Sequence, residues 1–348
     1  MNVLSLFDGC GGTAQALKNI GITPHTYITS ETDKYASKIS ALNHSDIPVF
    51  CALGDIKNID GRALVNMIDL FTAGFPCQDL SRAGKQKGLD GKRSGLFWDA
   101  IRLFNVVKPK YFIFENVASM SKSDRLIITS TIGVDPIEIN SALLTAQSRK
   151  RLYWTNIPGI IQPEDKHIYL KDIIEFGYVD RIKAHCLDAN YHKGTHLKHY
   201  LEKSRRQIVF NAPIRLDTIK DSSQSNRVYD IRGKSVTLSA NGGGGGAKTG
   251  LYLIQNPRGK NTGGIKALDG KTPTLTSSSW EYNNLLVQEN IIRKLTPEEC
   301  ERLQGFYDGY TQGVSNTQRY KMLGNAFTVP VISHILGFIN EEYVYALD

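Results

Sequence analysis

At 348 residues the chain is long for one compact core, so its length favours two domains or one domain carrying a large insertion. With 41% hydrophobic and 22% charged residues and no apolar run long enough to span a bilayer, the composition is that of a soluble globular protein and argues against a membrane one. A formal charge of +8 favours a polyanionic partner, because lysines and arginines that neutralise phosphates gain free energy from counterion release.

In chain order, the first half alternates β-rich runs with helical patterns. NVLSLF precedes TAQALKNIG, HTYITS precedes KYASKISALNH, MIDLFTAGF precedes SGLFWDAIRLFNVVK, and KYFIFEN follows. Strands alternating with helices imply right-handed crossovers, and hence an α/β fold with a doubly wound, mostly parallel sheet. The opening run has no basic segment before it and no small-residue cleavage site after it. It reads as a first strand, not a signal peptide, and the expected location is cytoplasmic. Ligands of such sheets sit at the carboxyl ends of the strands. FDGCGG, GFPCQ and FENV all lie at such ends.

From about Ile157 to Asn290 the chain is richer in Gly, Ser, Thr and Asn, with short strand-like pieces and basic clusters such as Lys203 to Arg206. This reads as a smaller, β-rich inserted domain. It holds a weak repeat, GKSVTLSANGGGGGAKTGLYLI and GKTPTLTSSSWEYNNLLV, each with a Thr-Leu pair before a polar loop. After Asn290, LTPEECERLQGF carries a helix start with Thr296 as N-cap and Glu299 as its capping-box partner. The apolar end, TVPVISHILGFINEEYVYAL, is expected to pack back on the first domain. The expected boundaries are 1–160, 161–290 and 291–348.

Several residues suit chemistry. Gly9, Gly11 and Gly12 form a turn between strand and helix where the backbone can approach a nucleotide-like ligand. Glu31, ending the next strand, suits an acceptor for ribose hydroxyls. Asp55 in GDI suits an adenine amino group, or equally a turn cap. Cys77 follows Pro76 at a strand end and opens onto a glycine-bearing basic loop. Arg82, Lys85 and Lys87 would favour its thiolate there. Glu115 ends an apolar strand, which predicts an apolar setting suited to donating a proton. Gln147, Arg149 and Arg151 alternate at strand spacing and would share one face, as phosphate or base anchors or as a solvated charge run. The five cysteines show no C-x-x-C and no zinc spacing, so neither a disulfide framework nor a metal is expected.

Taken in order, FDGCGG, SETDKYA, GDI, GFPCQDLSRAGKQKGLDGKRSGLF, FENV, QSRKR, RKLTPEECERLQGF and QRYKMLGNAFTVPV resemble the carbon-5 cytosine DNA methyltransferases of bacteria and phages. The resemblance covers both ends of the chain. It implies a Rossmann-like, S-adenosylmethionine-dependent catalytic domain interrupted by a target-recognition domain. It implies Cys77 as the nucleophile on cytosine carbon 6, Glu115 at ring nitrogen 3, and Gln147, Arg149 and Arg151 around the flipped nucleotide. S-adenosyl-L-methionine would contact Phe7, Gly9, Gly11, Gly12, Glu31, Thr32, Asp55, Ile56, Pro76, Leu96 and Asn325. Double-stranded DNA would meet Ser81, Arg82, Lys85 and Lys87 on the closing loop, and Thr237, Leu238, Asn241, Gly242 and Gly243 on the recognition loop, with Thr274-Leu275 as the alternative recognition pair.

The implied partner is a short specific DNA site with an unmethylated cytosine, acted on by a monomer, with a cognate restriction endonuclease as a separate companion. The sequence departs from the family pattern at Ala16, at Thr32, where a larger group often stacks on adenine, and at Tyr307. An RNA methyltransferase and a catalytically silent DNA-binding relative stand as alternatives.

Overall fold

The computed structural model describes residues 1–76, 95–195, 200, 202–203, 205–210, 215–218, 227–229, 251–252 and 292–339. Cys77, Ser81, Arg82, Lys85, Lys87, Thr237, Leu238, Asn241, Gly242 and Gly243 lie outside the described residues. The chain divides into two compact units. Met1–Tyr169, Cys186–His192 and Pro297–Asp348 form the first, and Leu170–His185 with Lys193–Thr296 the second. The return of Cys186–His192 to the first unit has no counterpart in the composition.

The first unit is built on a seven-stranded sheet: β1 Asn2–Leu6, β2 Thr26–Ser30, β3 Val49–Ala52, β4 Leu70–Ala73, β5 Tyr111–Val117, β6 Ile137–Asn140 and β7 Lys150–Thr155. The strand order is β3-β2-β1-β4-β5-β7-β6. β1 to β5 are mutually parallel, whereas β7 runs antiparallel to both neighbours. β4 and β5 read as near-continuous apolar runs because helices cover both faces of such a sheet, and their residues are almost all buried.

The helices are α1 Gly12–Asn19, α2 Lys34–Asn43, α3 Leu96–Val107, α4 Lys122–Ile132, a single turn α5 Leu170–Ile173 in the second unit, then α6 Pro297–Gln304, α7 Asn316–Asn325 and α8 Val329–Leu336. Local chemistry sets several of their ends. Asp33 accepts from the amides of Tyr35 and Ala36 at the start of α2, and Ser121 from that of Asp124 at α4, which stops at Gly133 with φ 86. α3 is seated on the sheet by Phe104, whose ring centroid lies 4.9 Å from that of Phe112, 5.4 Å from Phe114 and 5.6 Å from Phe71. That seating fixes Leu96, its first residue. α6 begins at Pro297, directly after Thr296, and α8 packs on α1, where Ser333 Oγ donates to the Ala16 carbonyl at 3.0 Å.

The C-terminal helices are tied by a buried charge. Glu301, fully buried on α6, accepts from the Gly309 and Thr311 amides at 2.7 and 2.8 Å, from the Thr311 hydroxyl, and from Arg319 Nη2 on α7 at 2.8 Å. Arg319 also reaches Glu298 at 2.9 Å.

In the second unit, β8 Ile208–Phe210 pairs antiparallel with β12 Ile292–Lys294, while β9 Arg215–Thr218, β10 Arg227–Tyr229 and β11 Leu251–Tyr252 form a three-stranded sheet. Tyr200 Oη donates to Asp180 at 2.8 Å, and the Arg293 guanidinium lies 4.0 Å over the Phe176 ring.

Removing one partner of a buried ion pair leaves the other uncompensated, at a cost of about 3–5 kcal/mol. Because Arg319 keeps Glu298, Glu301→Gln is expected at the low end, about 3 kcal/mol. Urea unfolding followed by circular dichroism checks it, and an unchanged midpoint contradicts it.

Candidate active site

The parallel strands all release their chain at one edge of the sheet, and a cleft opens there. It is lined by Phe7 and Gly9 after β1, Ser30, Glu31 and Thr32 at the end of β2, Asp55 and Ile56 after β3, and Gly74, Phe75 and Pro76 after β4. Leu96 of α3, Glu115 and Val117 of β5, Arg149, Arg151, Gly324 and Asn325 complete it. Its volume of about 230 Å³ is many times the roughly 10–15 Å³ that a single buried water needs.

Glu115 does not lie in the apolar setting its strand predicts. In the β5–β7 register Glu115 faces Tyr153 and Val117 faces Arg151, so Glu115 and Arg151 are diagonal neighbours on one face. Arg151 Nε donates to Glu115 Oε1 at 2.8 Å, with both side chains largely buried. A cation beside the carboxylate replaces the expected hydrocarbon, because β7 brings its charged start against the end of β5.

The three residues of QSRKR separate. Arg149 lines the cleft but spends its guanidinium on backbone carbonyls, Nη1 on Leu187 at 3.1 Å and Nη2 on Ala326 at 3.0 Å. Gln147 does not line the cleft; it is fully buried, donating to the Leu303 carbonyl at 3.2 Å and accepting from the Leu187 amide at 2.7 Å. Alternation at strand spacing does not extend to it because β7 begins only at Lys150.

The glycines divide likewise. Gly9, with φ 59, lines the cleft directly after Phe7, itself at φ 56. Gly11 and Gly12 are not among the lining residues. Gly11, at φ 89, would carry a Cβ 2.7 Å from His44 Nε2, so glycine there admits α2, and Gly12 packs on Phe327.

Glu31 is fixed by three amides, Gly9 at 2.9 Å and Thr32 and Asp33 at 2.7 Å each. A carboxylate offers about four lone-pair sites, so capacity for a further donor remains. Asp55 caps a turn, accepting from the Lys57 amide at 3.0 Å, and also lines the cleft.

These acids beside Ile56, Pro76 and Leu96 make a wall with apolar faces and carboxylate acceptors, which matches the hydroxyl and amine donors of a nucleoside. A family model described as C-5 cytosine-specific DNA methylase matches residues 1–341. The chain belongs to this family. It is an S-adenosylmethionine-dependent DNA (cytosine-5)-methyltransferase.

Type II methyltransferase M.HhaI of Haemophilus parahaemolyticus is 28% identical over 96% of this chain and 93% of its own. Orphan methyltransferase M.SPRI of Bacillus phage SPR is 27% identical over 99% and 98%. Type II methyltransferase M.HpaII of Haemophilus parainfluenzae is 29% identical over 94% and 86%. Among solved structures, the S. pombe Dnmt2 methyltransferase superposes with a TM-score of 0.53 at 20% identity over 99% of both chains. The Spodoptera frugiperda DNMT2 protein gives 0.55 at 17%, over 97% of this chain and 98% of its own. These two likenesses support the fold. Among the described residues no helix is long and apolar enough to cross a membrane.

In this methyltransferase, sequence reasoning missed Ser30, Gly74, Phe75, Val117 and Gly324 as lining residues. The motif context held a signal for some: Gly74 and Phe75 precede Pro76, and Gly324 precedes Asn325. It also passed over Asp8, between Phe7 and Gly9. Asp8 is buried and accepts from Tyr27 Oη and from Ser40 Oγ at 2.8 Å. Burial pushes its carboxyl up to about 6 against these hydrogen bonds, and the charge of Glu31 adds to the rise.

A carboxyl raised on folding contributes stability that is fully present below about pH 4 and lost as pH rises through about 6. Unfolding free energies of the wild type and Asp8→Asn, measured across pH 4–7, are therefore expected to converge or cross as pH rises. A difference between them that is constant over that range contradicts the assignment.

Proposed function

We propose that the cleft seats S-adenosylmethionine along its β1–β3 wall and a cytosine flipped from duplex DNA against Glu115 and Arg151. The carrying observation is that the Glu115–Arg151 ion pair and a wall bearing Glu31 and Asp55 open into one cleft, lined also by Pro76, the residue before Cys77 in sequence. Glu31 takes the ribose hydroxyls and Asp55 the adenine amine, with Ile56 and Leu96 on the adenine faces. Thr32 adds little stacking surface. Phe7 and Gly9 let the backbone approach, and Asn325 closes the wall. Gly11 and Gly12 support this wall from behind.

When bound, S-adenosylmethionine supplies an electrophilic methyl group on its sulfonium. Carbon 5 of cytosine is too weak a nucleophile to take it unaided. The Cys77 thiolate adds to carbon 6, and the electron pair of the 5,6 double bond moves into the ring as an enamine. Glu115 accepts from the exocyclic amine and carries the proton that nitrogen 3 acquires, while Arg151, held on Glu115, faces the carbonyl at carbon 2. A thymine would set a carbonyl against that carboxylate, which selects for cytosine. Carbon 5 takes the methyl and S-adenosyl-L-homocysteine leaves; loss of the carbon-5 proton to a base, departure of the Cys77 thiolate and return of the nitrogen-3 proton to Glu115 restore the 5,6 double bond.

The target base is unreachable inside a duplex, so flipping costs a few kcal/mol. Closure of the segment carrying Ser81, Arg82, Lys85 and Lys87 over the base offsets that cost. The second unit reads the site, with Thr237, Leu238, Asn241, Gly242 and Gly243 as its recognition loop and the net charge of +8 supplying sequence-independent affinity. A cytoplasmic monomer acting on a short unmethylated site completes this reading.

Bisulfite sequencing of plasmid DNA from cells without their own cytosine methylation tests it. Protected cytosines in one short motif, absent with Cys77→Ser, are expected. No protection from a folded protein that binds S-adenosylmethionine would shift the reading to RNA or to a silent DNA-binding role. Duplex carrying 5-fluorocytosine at the target is expected to trap a covalent adduct on Cys77, because fluorine cannot leave as a proton does. Glu115→Gln is expected to lower kcat by about 10²–10⁴-fold in a methyl-transfer assay; a rate within threefold of wild type contradicts its role.

A further inference from the structure

The segment Cys186–His192 belongs to the first unit although the chain on either side of it belongs to the second. It lies against the arginine motif. The Leu187 amide donates to Gln147 Oε1 at 2.7 Å, and the Leu187 carbonyl accepts from Arg149 Nη1 at 3.1 Å. Cys186 Sγ lies 3.5 Å from Arg149 Nη1 and 3.9 Å from Arg151 Nη2, so one sulfur bridges both guanidinium groups. At Gly324 a Cβ would sit 2.3 Å from the Asp188 carbonyl carbon, so the segment also runs in backbone contact beside Asn325.

The charged groups facing this sulfur are Arg149 and Arg151 from the start of β7, with Glu115 reached through Arg151. Asp188 stands on its own segment, and Lys150 reaches to Glu138, 3.4 Å away. Desolvation opposes ionisation of the thiol, but the positive charges of Arg149 and Arg151 outweigh it and hold the thiol below its usual range. Protonated, the S–H has the Leu187 carbonyl 3.7 Å away, the oxygen that Arg149 already uses. The protonation state therefore changes what holds the arginines.

We propose that Cys186 is a positioning residue for methyl transfer: its sulfur is the shared acceptor that seats Arg149 and Arg151, and through Arg151 it holds Glu115 in place. This rests on the reading that Glu115 and Arg151 serve the flipped cytosine. Cys186 forms no bond to substrate. It acts as a shared acceptor delivered by a segment that is continuous in sequence, at both ends, with the unit proposed to read DNA.

The test compares kcat and KM against pH for the full-length wild type, Cys186→Ala and Cys186→Asp. Misplacing a positioned group by about 1 Å costs up to about a hundredfold in rate. Cys186→Ala is therefore expected to lower kcat by about ten- to a hundredfold with the KM for S-adenosylmethionine unchanged, and to remove an acidic limb from the kcat profile. Cys186→Asp, which restores an anion, is expected to recover most of the rate. Cys186→Ala with wild-type kcat and profile, or Cys186→Asp no better than Cys186→Ala, overturns the proposal.

A second measurement needs no variant to fold. The rate of iodoacetamide alkylation, resolved by peptide mass spectrometry, is followed against pH at the exposed Cys186 of the wild type, with N-acetylcysteine amide as the reference thiol. An inflection at Cys186 below that of the reference thiol is expected, and one at or above it overturns the proposal. A wild type that methylates no cytosine sinks the functional reading and this inference with it. Wild-type methylation and 5-fluorocytosine trapping retained at full kcat in Cys186→Ala sink this inference alone.

Discussion

The ion pair between Glu115 and Arg151 exists because β7 runs against β5. β1 to β5 end at one edge of the sheet, and a parallel β7 would place its own start at the opposite edge, roughly 17–20 Å away for a strand of about six residues. Reversed, β7 brings its charged first turn to the edge where its neighbours deliver theirs. The register then sets Arg151 diagonal to Glu115, close enough for Nε and Oε1 to meet at 2.8 Å. The rest of the cleft is assembled around that pair by strands that leave the sheet in the same direction.

A second constraint is close backbone approach, and glycine meets it at the places where separate parts of the chain converge. A Cβ at Gly74 would lie 2.6 Å from the Phe327 ring, and one at Gly324 2.3 Å from the Asp188 carbonyl carbon. These contacts let the C-terminal helices and the segment Cys186–His192 reach the β4 and β7 ends. The buried Glu301–Arg319 pair, with its amide and hydroxyl donors, holds α6 to α7 and so places Asn325. Arg149 does comparable work on the β5–β7 side of the cleft: its guanidinium crosslinks the Leu187 and Ala326 carbonyls, which lie far apart in sequence.

Each wall of the cleft thus has its own chemistry. The β1–β3 side offers carboxylate acceptors held by backbone amides and flanked by hydrocarbon, and the β5–β7 side offers a carboxylate held by an arginine. This arrangement supports the proposed division of labour, in which binding determinants and reacting groups sit on different strands of one edge.

The β1–β5 alternation was legible because apolar runs and helical periodicity are local properties, and so were the glycine turn, Glu31, Asp55 and Glu115, which follow strand ends. α4 and β6 were not read, since their apolar positions are few and their burial comes from neighbours such as Trp154. By itself the sequence determined the fold class, the family, and the residue types gathered at the strand ends, because each depends on short-range pattern. Tertiary structure alone decided that Arg151 neutralises Glu115, that Gln147, Gly11 and Gly12 support the cleft from outside its lining, and that Cys186 bridges two arginines. Those outcomes depend on strand direction and on contacts between residues roughly 30 to 315 positions apart, which no local pattern encodes.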